Sequence, residues 1–182
     1  FGSKTPAKNS KNGFRSGISF SELKGNFRYN VSWWGVDKHY KQNELGYFNF
    51  FDHQRFSSRI SYQILNEYGF LRKYSNYLWF NDTRTFHSFD RKLWGLRFGN
   101  DFSTQNLMVF EADFAYASKT RDYNKPRTIN RYIEEPENFQ AKLVMQSNKN
   151  KDFSYRIQWN KFAYFKEDFE EQKSQNRLNL ST

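Results

Sequence analysis

The sequence predicts an all-β chain, an antiparallel transmembrane β-barrel with about nine strands in view, and three observations predict it. The first is a two-residue alternation: Met108, Phe110, Ala112, Phe114 and Tyr116 interleave with Val109, Glu111, Asp113, Ala115 and Ala117. Successive strand residues point to opposite faces, so this segment has one greasy face and one that carries two carboxylates. The second is composition. Aromatic residues make up 21% of the 182 residues, yet the mean hydropathy is −1.01. Disordered chains are poor in aromatics, whereas a barrel needs apolar residues only on the lipid side of each strand and keeps its lumen and loops polar. The third is a set of connections that run short, long, short, long, as do the periplasmic turns and extracellular loops of outer-membrane barrels.

Residues 1–13, rich in Lys, Asn, Ser and Gly, read as a linker or loop, and residues 14–182 as barrel. The first strand, about 14–22, alternates Phe14, Ile18 and Phe20 with Arg15, Gly17 and Ser19. Lys24-Gly25-Asn26 turns tightly into a second strand at about 27–37, where Phe27, Tyr29, Val31 and Trp33 oppose Arg28, Asn30 and Ser32. A polar loop follows, then a long strand from about 47 to 65 that sets Phe56, Ile60, Tyr62 and Ile64 against Arg55, Arg59, Ser61 and Gln63. Asn66 to Gly69 closes a short turn into strand four, about 70–81, with Tyr74, Leu78 and Phe80; Asp82–Arg91 is a longer loop.

Strand five, about 92–102, carries Trp94, Leu96, Phe98 and Phe102, and Ser103 to Asn106 turns it into the segment quoted above. Residues 119–137, basic first and then acidic, form the longest loop. Strand seven, about 138–147, shows Phe139, Ala141, Leu143 and Met145; Asn148–Asp152 returns it into strand eight with Phe153, Tyr155, Ile157 and Trp159. An acidic loop near 166–172 leads to a ninth strand with Asn176, Leu178 and Leu180. A soluble meander or sandwich is the competing fold, but it seldom needs strands this long or this aromatic. No run approaches the roughly 20 apolar residues of a spanning helix. Nine strands do not match the even counts of bacterial single-chain barrels, and neither an initiator Met nor an export signal opens the chain. The expectation is therefore a part of a larger barrel.

The polar side of the strands is basic, with Arg15, Arg28, Arg55, Arg59, Arg97, Lys142 and Arg156. Converging in a lumen, these residues would attract anionic or sugar-acid solutes. The alternative is that they pair with Glu111 and Asp113 in a salt-bridge network. The net charge of +10 also permits a nucleic-acid reading, which is set aside because the aromatics fall on the face opposite the Arg, whereas a stacking groove would mix them. No nucleic-acid partner is expected. Trp33, Trp34, Tyr47, Trp79, Trp94 and Trp159 lie near strand ends, where aromatic girdles sit; Trp33, Tyr47, Trp94 and Trp159 are the girdle candidates.

Two acidic clusters, Glu134, Glu135 and Glu137, and Glu167, Asp168, Glu170 and Glu171, lack a calcium-ligand spacing and read as solvated loops. His39, His53 and His87 are isolated, and Cys is absent, so neither metal nor thiolate chemistry is expected. Phosphate loops and nucleophile elbows are missing as well. No cofactor and no catalytic residue is assigned.

The stretch Asn43-Glu44-Leu45-Gly46-Tyr47-Phe48 resembles the Asn-Asp-Leu-Gly-Phe/Tyr-Leu motif of a Bacteroidota family of outer-membrane β-barrel proteins of uncharacterised function. That family typically places a family-9-like carbohydrate-binding module before its barrel. Glu44 stands where Asp is usual and Phe48 where Leu is common. The resemblance implies the C-terminal barrel portion of a larger protein, with glycan-related uptake or surface processing. The resulting expectation is a non-enzymatic pore or platform in the bacterial outer membrane that handles solutes or glycans in contact with lipid and lipopolysaccharide. The alternative is a structural barrel that docks onto other envelope proteins of a secretion or nutrient-uptake complex.

Overall fold

Where large apolar and polar residues alternate, the chain is extended, and the computed structural model describes residues 13–40, 52–122, 132–165 and 174–181. Among them run β1 (Arg15–Glu22), β2 (Phe27–Val36), β3 (His53–Ile64), β4 (Leu71–Arg84), β5 (Arg91–Thr104) and β6 (Val109–Ala117). Next come β7 (Thr120–Asp122), β8 (Ile133–Glu135), β9 (Glu137–Gln146), β10 (Arg156–Phe165) and β11 (Ser174–Ser181). Nine strands form one antiparallel sheet in the order β1-β2-β3-β4-β5-β6-β9-β10-β11, while β7 and β8 pair separately. The sheet is open among the described residues: β1 and β11 each have a neighbour on one side only.

All nine expected sheet strands are present, and the departures lie at their ends. The loop expected at Asp82–Arg91 shrinks to residues 85–90, because Asp82 accepts from Arg84 Nε at 2.7 Å and lies 3.2 Å from Arg91 Nε, which keeps charged residues inside the ladder. β10 begins at Arg156 rather than Phe153. Ser147 N–H donates to Tyr155 O at 2.9 Å, and the Asn148 side chain accepts from Asn150 N–H at 2.8 Å, so the residues up to Tyr155 belong to the turn. The turn expected at Ser103–Asn106 falls at 105–108, where Leu107 N–H donates to Thr104 O at 2.9 Å.

The loop expected at 119–137 contains the β7–β8 hairpin. Its basic and acidic halves are cross-strand partners that stay exposed to solvent: Lys119 and Arg121 reach Glu134 at 3.0 and 3.2 Å. Gly25 and Gly69 occupy left-handed backbone at φ 73° and 58°, which a turn needs and glycine supplies without strain. Residues 1–12 of the expected linker, the start of the third strand at 47–51, the 43–48 motif with Tyr47, and the acidic residues Glu167, Asp168, Glu170 and Glu171 lie outside the described residues.

Register separates the sheet into two faces, because residues directly opposite in adjacent strands point the same way. One face carries Ile18 and Phe20 on β1, Tyr29 and Trp33 on β2, Phe56 and Ile60 on β3, Leu78 and Phe80 on β4 and Leu96 and Phe98 on β5. It continues through Phe110, Phe114 and Tyr116 on β6, Phe139, Leu143 and Met145 on β9, Ile157 and Trp159 on β10 and Leu178 and Leu180 on β11. Rings meet across strands here: Phe102 and Phe110 stack at 4.7 Å, and Trp94 lies 5.1 Å from Tyr116.

This apolar face is not covered. Phe98 is 40% exposed, Leu143 41% and Leu180 70%, and among the described residues no large side chain is fully buried. Eight strand spacings of about 4.8 Å make the face on the order of 40 Å wide, far beyond the patch of a few hundred Å² that a water-soluble monomer exposes.

Candidate functional site

The opposite, polar face is the candidate site, and alternation alone puts its residues there. Arg15, Arg28, Arg55, Arg59, Arg97, Lys142 and Arg156 all project from it, as the sequence predicts. So do Glu111 and Asp113.

The charges are partitioned along the sheet. On β5, β6 and β9 both cations are paired: both Asp113 oxygens accept from Arg97 Nε at 2.9 Å, and Lys142 Nζ sits 2.9 Å from Glu111 Oε2. Tyr77 on β4 adds its hydroxyl to Asp113 Oδ2 at 2.6 Å. Asp101, opposite Glu111, adds a third carboxylate to this region. The salt-bridge alternative therefore holds for Arg97 and Lys142. It does not hold for the rest. Arg28 Nε donates to the Gly25 carbonyl at 3.0 Å, and Arg156 donates to Gln146 and Gln158 at 3.0 and 3.3 Å.

Toward β1 the polar face turns purely basic. Arg15 lies over the Trp34 ring at 5.5 Å, Arg55 over Trp79 at 5.6 Å and Arg59 over Tyr77 at 4.4 Å. Trp79 Nε1 donates to Ser57 Oγ at 2.9 Å, which fixes its ring in the row. Arg55 Nε is shut off from solvent with no acceptor. None of the three arginines has a carboxylate within ion-pair distance among the described residues.

Two corrections follow. Trp34 and Trp79 project to the polar face and not to the one that carries Trp33, Trp94 and Trp159; and the aromatics are not confined to the face opposite the arginines. The signal for both was in the alternation. Tyr77 and Trp79 flank Leu78, and Trp34 follows Trp33, so each must point away from its apolar neighbour. Trp33, Trp94 and Trp159 do lie on the apolar face, each three residues from a strand end, the first two toward the long connections and the third toward the short turns.

A second cluster ties together connections at the long-loop end, and isolated histidines were the wrong expectation for it. His87 Nδ1 lies 2.8 Å from Asp52 Oδ1, and His39 Nδ1 3.2 Å from Asp37 Oδ1, with His87 Nε2 3.7 Å from the same Asp37 oxygen. Asp52 Oδ1 also accepts from the backbone N–H groups of Phe86 and His87. Burial pushes the Asp37 carboxyl up, but hydrogen bonds from the His39 backbone and imidazole and the charges of both imidazoles outweigh it and hold the carboxyl below its ordinary value. Sequence separation hid this cluster, since Asp52 and His87 are 35 positions apart.

The acidic run at 134–137 does not converge on a cation: Glu134 pairs with Lys119 and Arg121, while Glu137 accepts from the Tyr116 hydroxyl. Among the described residues no group of His, Asp and Glu side chains is placed to hold a metal ion.

A model of the family described as "Domain of unknown function (DUF5916)" matches residues 2–182. No curated protein and no solved structure matches the chain.

Proposed function

The chain belongs to the DUF5916 family, and we propose that in this member the sheet is the wall of a transmembrane β-barrel in a bacterial outer membrane. Its polar face lines a lumen for solute or glycan handling. The observation that carries the reading is the two-faced sheet itself. A continuous apolar face stands uncovered across nine strands, and the other face holds Arg, Lys, Asp, Glu and Tyr in hydrogen-bonded rows. Water on both sides would leave the first face unstable. Lipid on one side and water on the other suits both.

The strand lengths support the same assignment. β3, β4 and β5 run to 12, 14 and 14 residues, enough for a tilted crossing of the hydrocarbon layer. Trp33 and Trp94 near one boundary and Trp159 near the other supply the expected interfacial rings. The outer edges of β1 and β11, unpaired among the described residues, are where further strands would complete the wall. The resemblance of residues 43–48 to a Bacteroidota outer-membrane family supports a glycan-related role, as a pore or as a platform.

The chain has no cysteine, so single thiols report position cleanly. In lipid vesicles, Ser57→Cys and Ala115→Cys are expected to react with a water-soluble maleimide, whereas Phe98→Cys and Leu143→Cys react only after detergent is added. Equal reaction of all four in vesicles would sink the assignment. Planar-bilayer conductance then separates a pore from a closed platform.

A further inference from the structure

We propose that the basic end of the polar face, the row Arg15, Arg55 and Arg59, is a binding track for a solute that bears two or more oxyanion groups: carboxylate, sulfate or phosphate. The proposal rests on the assignment of this face to a lumen and names what that lumen recognises.

Register builds the row. Trp34 is opposite Arg55, and Trp79 is opposite Arg59. Each guanidinium leans away from its direct partner, so that Arg15 covers Trp34, Arg55 covers Trp79 and Arg59 covers Tyr77. The result is an oblique series from β1 to β4 in which cation and ring alternate. It runs on through the Tyr77 hydroxyl to Asp113 and Arg97, where acid and base pair.

The rings decide what kind of ligand fits. A ring that already carries a guanidinium is not free to stack a base or a sugar. Tyr77 is committed further: it lies across Gly99, where an added Cβ would collide with its Cε1. The aromatics therefore orient the arginines instead of the ligand. A guanidinium laid flat on a ring keeps its N–H fork at the edge, where it matches the two oxygens of a carboxylate or the oxygens of sulfate and phosphate.

Competition from the protein is weak at this end: the carboxylate of Asp101 acts on Arg59 only from beyond ion-pair distance. Arg97 and Lys142 are neutralised by Asp113 and Glu111, but no carboxylate of the described residues pairs with the three arginines, and Arg55 Nε is orphaned. An orphaned buried donor is costly unless a ligand completes it. The spacing points to a ligand with more than one anionic group. Trp34, under Arg15, stands two strand widths from the β4 rings, roughly 10 Å, and Trp79 and Tyr77, under Arg55 and Arg59, are two strand residues apart, roughly 7 Å. One small ion does not reach all three guanidinium groups.

The test is equilibrium binding of fluorescent dextran sulfate to the protein in detergent micelles at fixed ionic strength, with neutral dextran and a single-stranded oligonucleotide as comparisons and circular dichroism as the control for folding. The Arg15→Gln/Arg55→Gln/Arg59→Gln variant is expected to bind at least about tenfold more weakly. The charge-neutral Glu111→Gln/Lys142→Gln variant is expected to change binding less than about twofold, and triple replacement by Lys to fall between wild type and the Gln variant, because charge remains but the fork is lost. Unchanged binding in the Gln variant, equal loss in the Glu111/Lys142 variant, or tighter binding of the oligonucleotide than of dextran sulfate would overturn the proposal. The measurement needs no bilayer, so its failure is separate from a failure of the cysteine labelling.

Discussion

Tyr77 donates its hydroxyl proton to Asp113 at 2.6 Å, spanning from β4 over β5 to β6. The carboxylate it reaches is the one that holds Arg97 with both oxygens. Three strands are thus cross-linked on the polar face by one charge. A hydrogen bond to a charged group is worth more than a neutral one, and this one is half-buried. Tyr77→Phe is expected to lower stability by about 1–2 kcal/mol. Asp113→Asn should cost more, since it leaves the Arg97 charge without its partner. Thermal unfolding in micelles checks both, and a double-mutant cycle with no coupling between Tyr77 and Asp113 would contradict the cross-link.

Gly99 is what lets that ring lie down. Tyr77 is directly opposite Gly99, and a Cβ there would meet the ring well inside van der Waals contact. Gly99→Ala is expected to displace the ring, weaken its bond to Asp113 and cost about 1–3 kcal/mol. In Tyr77→Ala the space is empty, so the same Gly99→Ala change should cost much less. Equal costs in the two backgrounds would show that the ring is not what Gly99 accommodates.

The sheet was legible in the sequence because its signal is local. Period-two alternation around Ile60, Phe98 or Phe114 states the strand and the face together, and the turn at Gly25 announces itself. Partnership was not legible. Nothing near Asp113 says that it serves Arg97 and Tyr77 rather than Arg55, since that depends on register among three strands. Strand ends failed for a related reason: Asp82 and Arg84 look like loop residues until Arg91 is seen across from them. The same holds for Asp52 and His87, whose pairing depends on how two connections meet. Trp34 and Trp79 are different. Alternation assigned them to the polar face, and the expectation of a girdle overrode it.

At the long-loop end, Asp52 joins two connections through His87. Burial pushes its carboxyl up, but hydrogen bonds from the His87 side chain and backbone, with the charges of His87 and Lys92, outweigh that and hold it below 3.8. A carboxyl depressed in the folded state contributes stability that is present above its unfolded value and is lost as pH falls through its folded value. The Phe86 and His87 amide signals are therefore expected to hold their positions down to the ordinary carboxyl range and to shift only in stronger acid. Asp52→Asn should abolish that shift. A midpoint above 3.8 in the NMR titration, or the same shift in the Asn variant, would count against the clasp.

Two exposed phenylalanines differ only in place, and that difference tests what surrounds the sheet. Phe98 sits in the middle of β5 on the apolar face at 40% exposure; Phe153 sits in the β9–β10 turn at 68%. In water, replacing an exposed side chain of either kind changes stability by no more than about 0.5 kcal/mol. In a bilayer, a charge near the midplane on the lipid face costs about 2–4 kcal/mol, and one near the interface costs little. Phe98→Arg is accordingly expected to destabilise the protein in lipid vesicles by about 2–4 kcal/mol, with Phe153→Arg within about 1 kcal/mol of wild type. Urea unfolding from vesicles gives both values. Near-equal costs would mean that Phe98 faces water, and the apolar face would then need a protein partner in place of lipid.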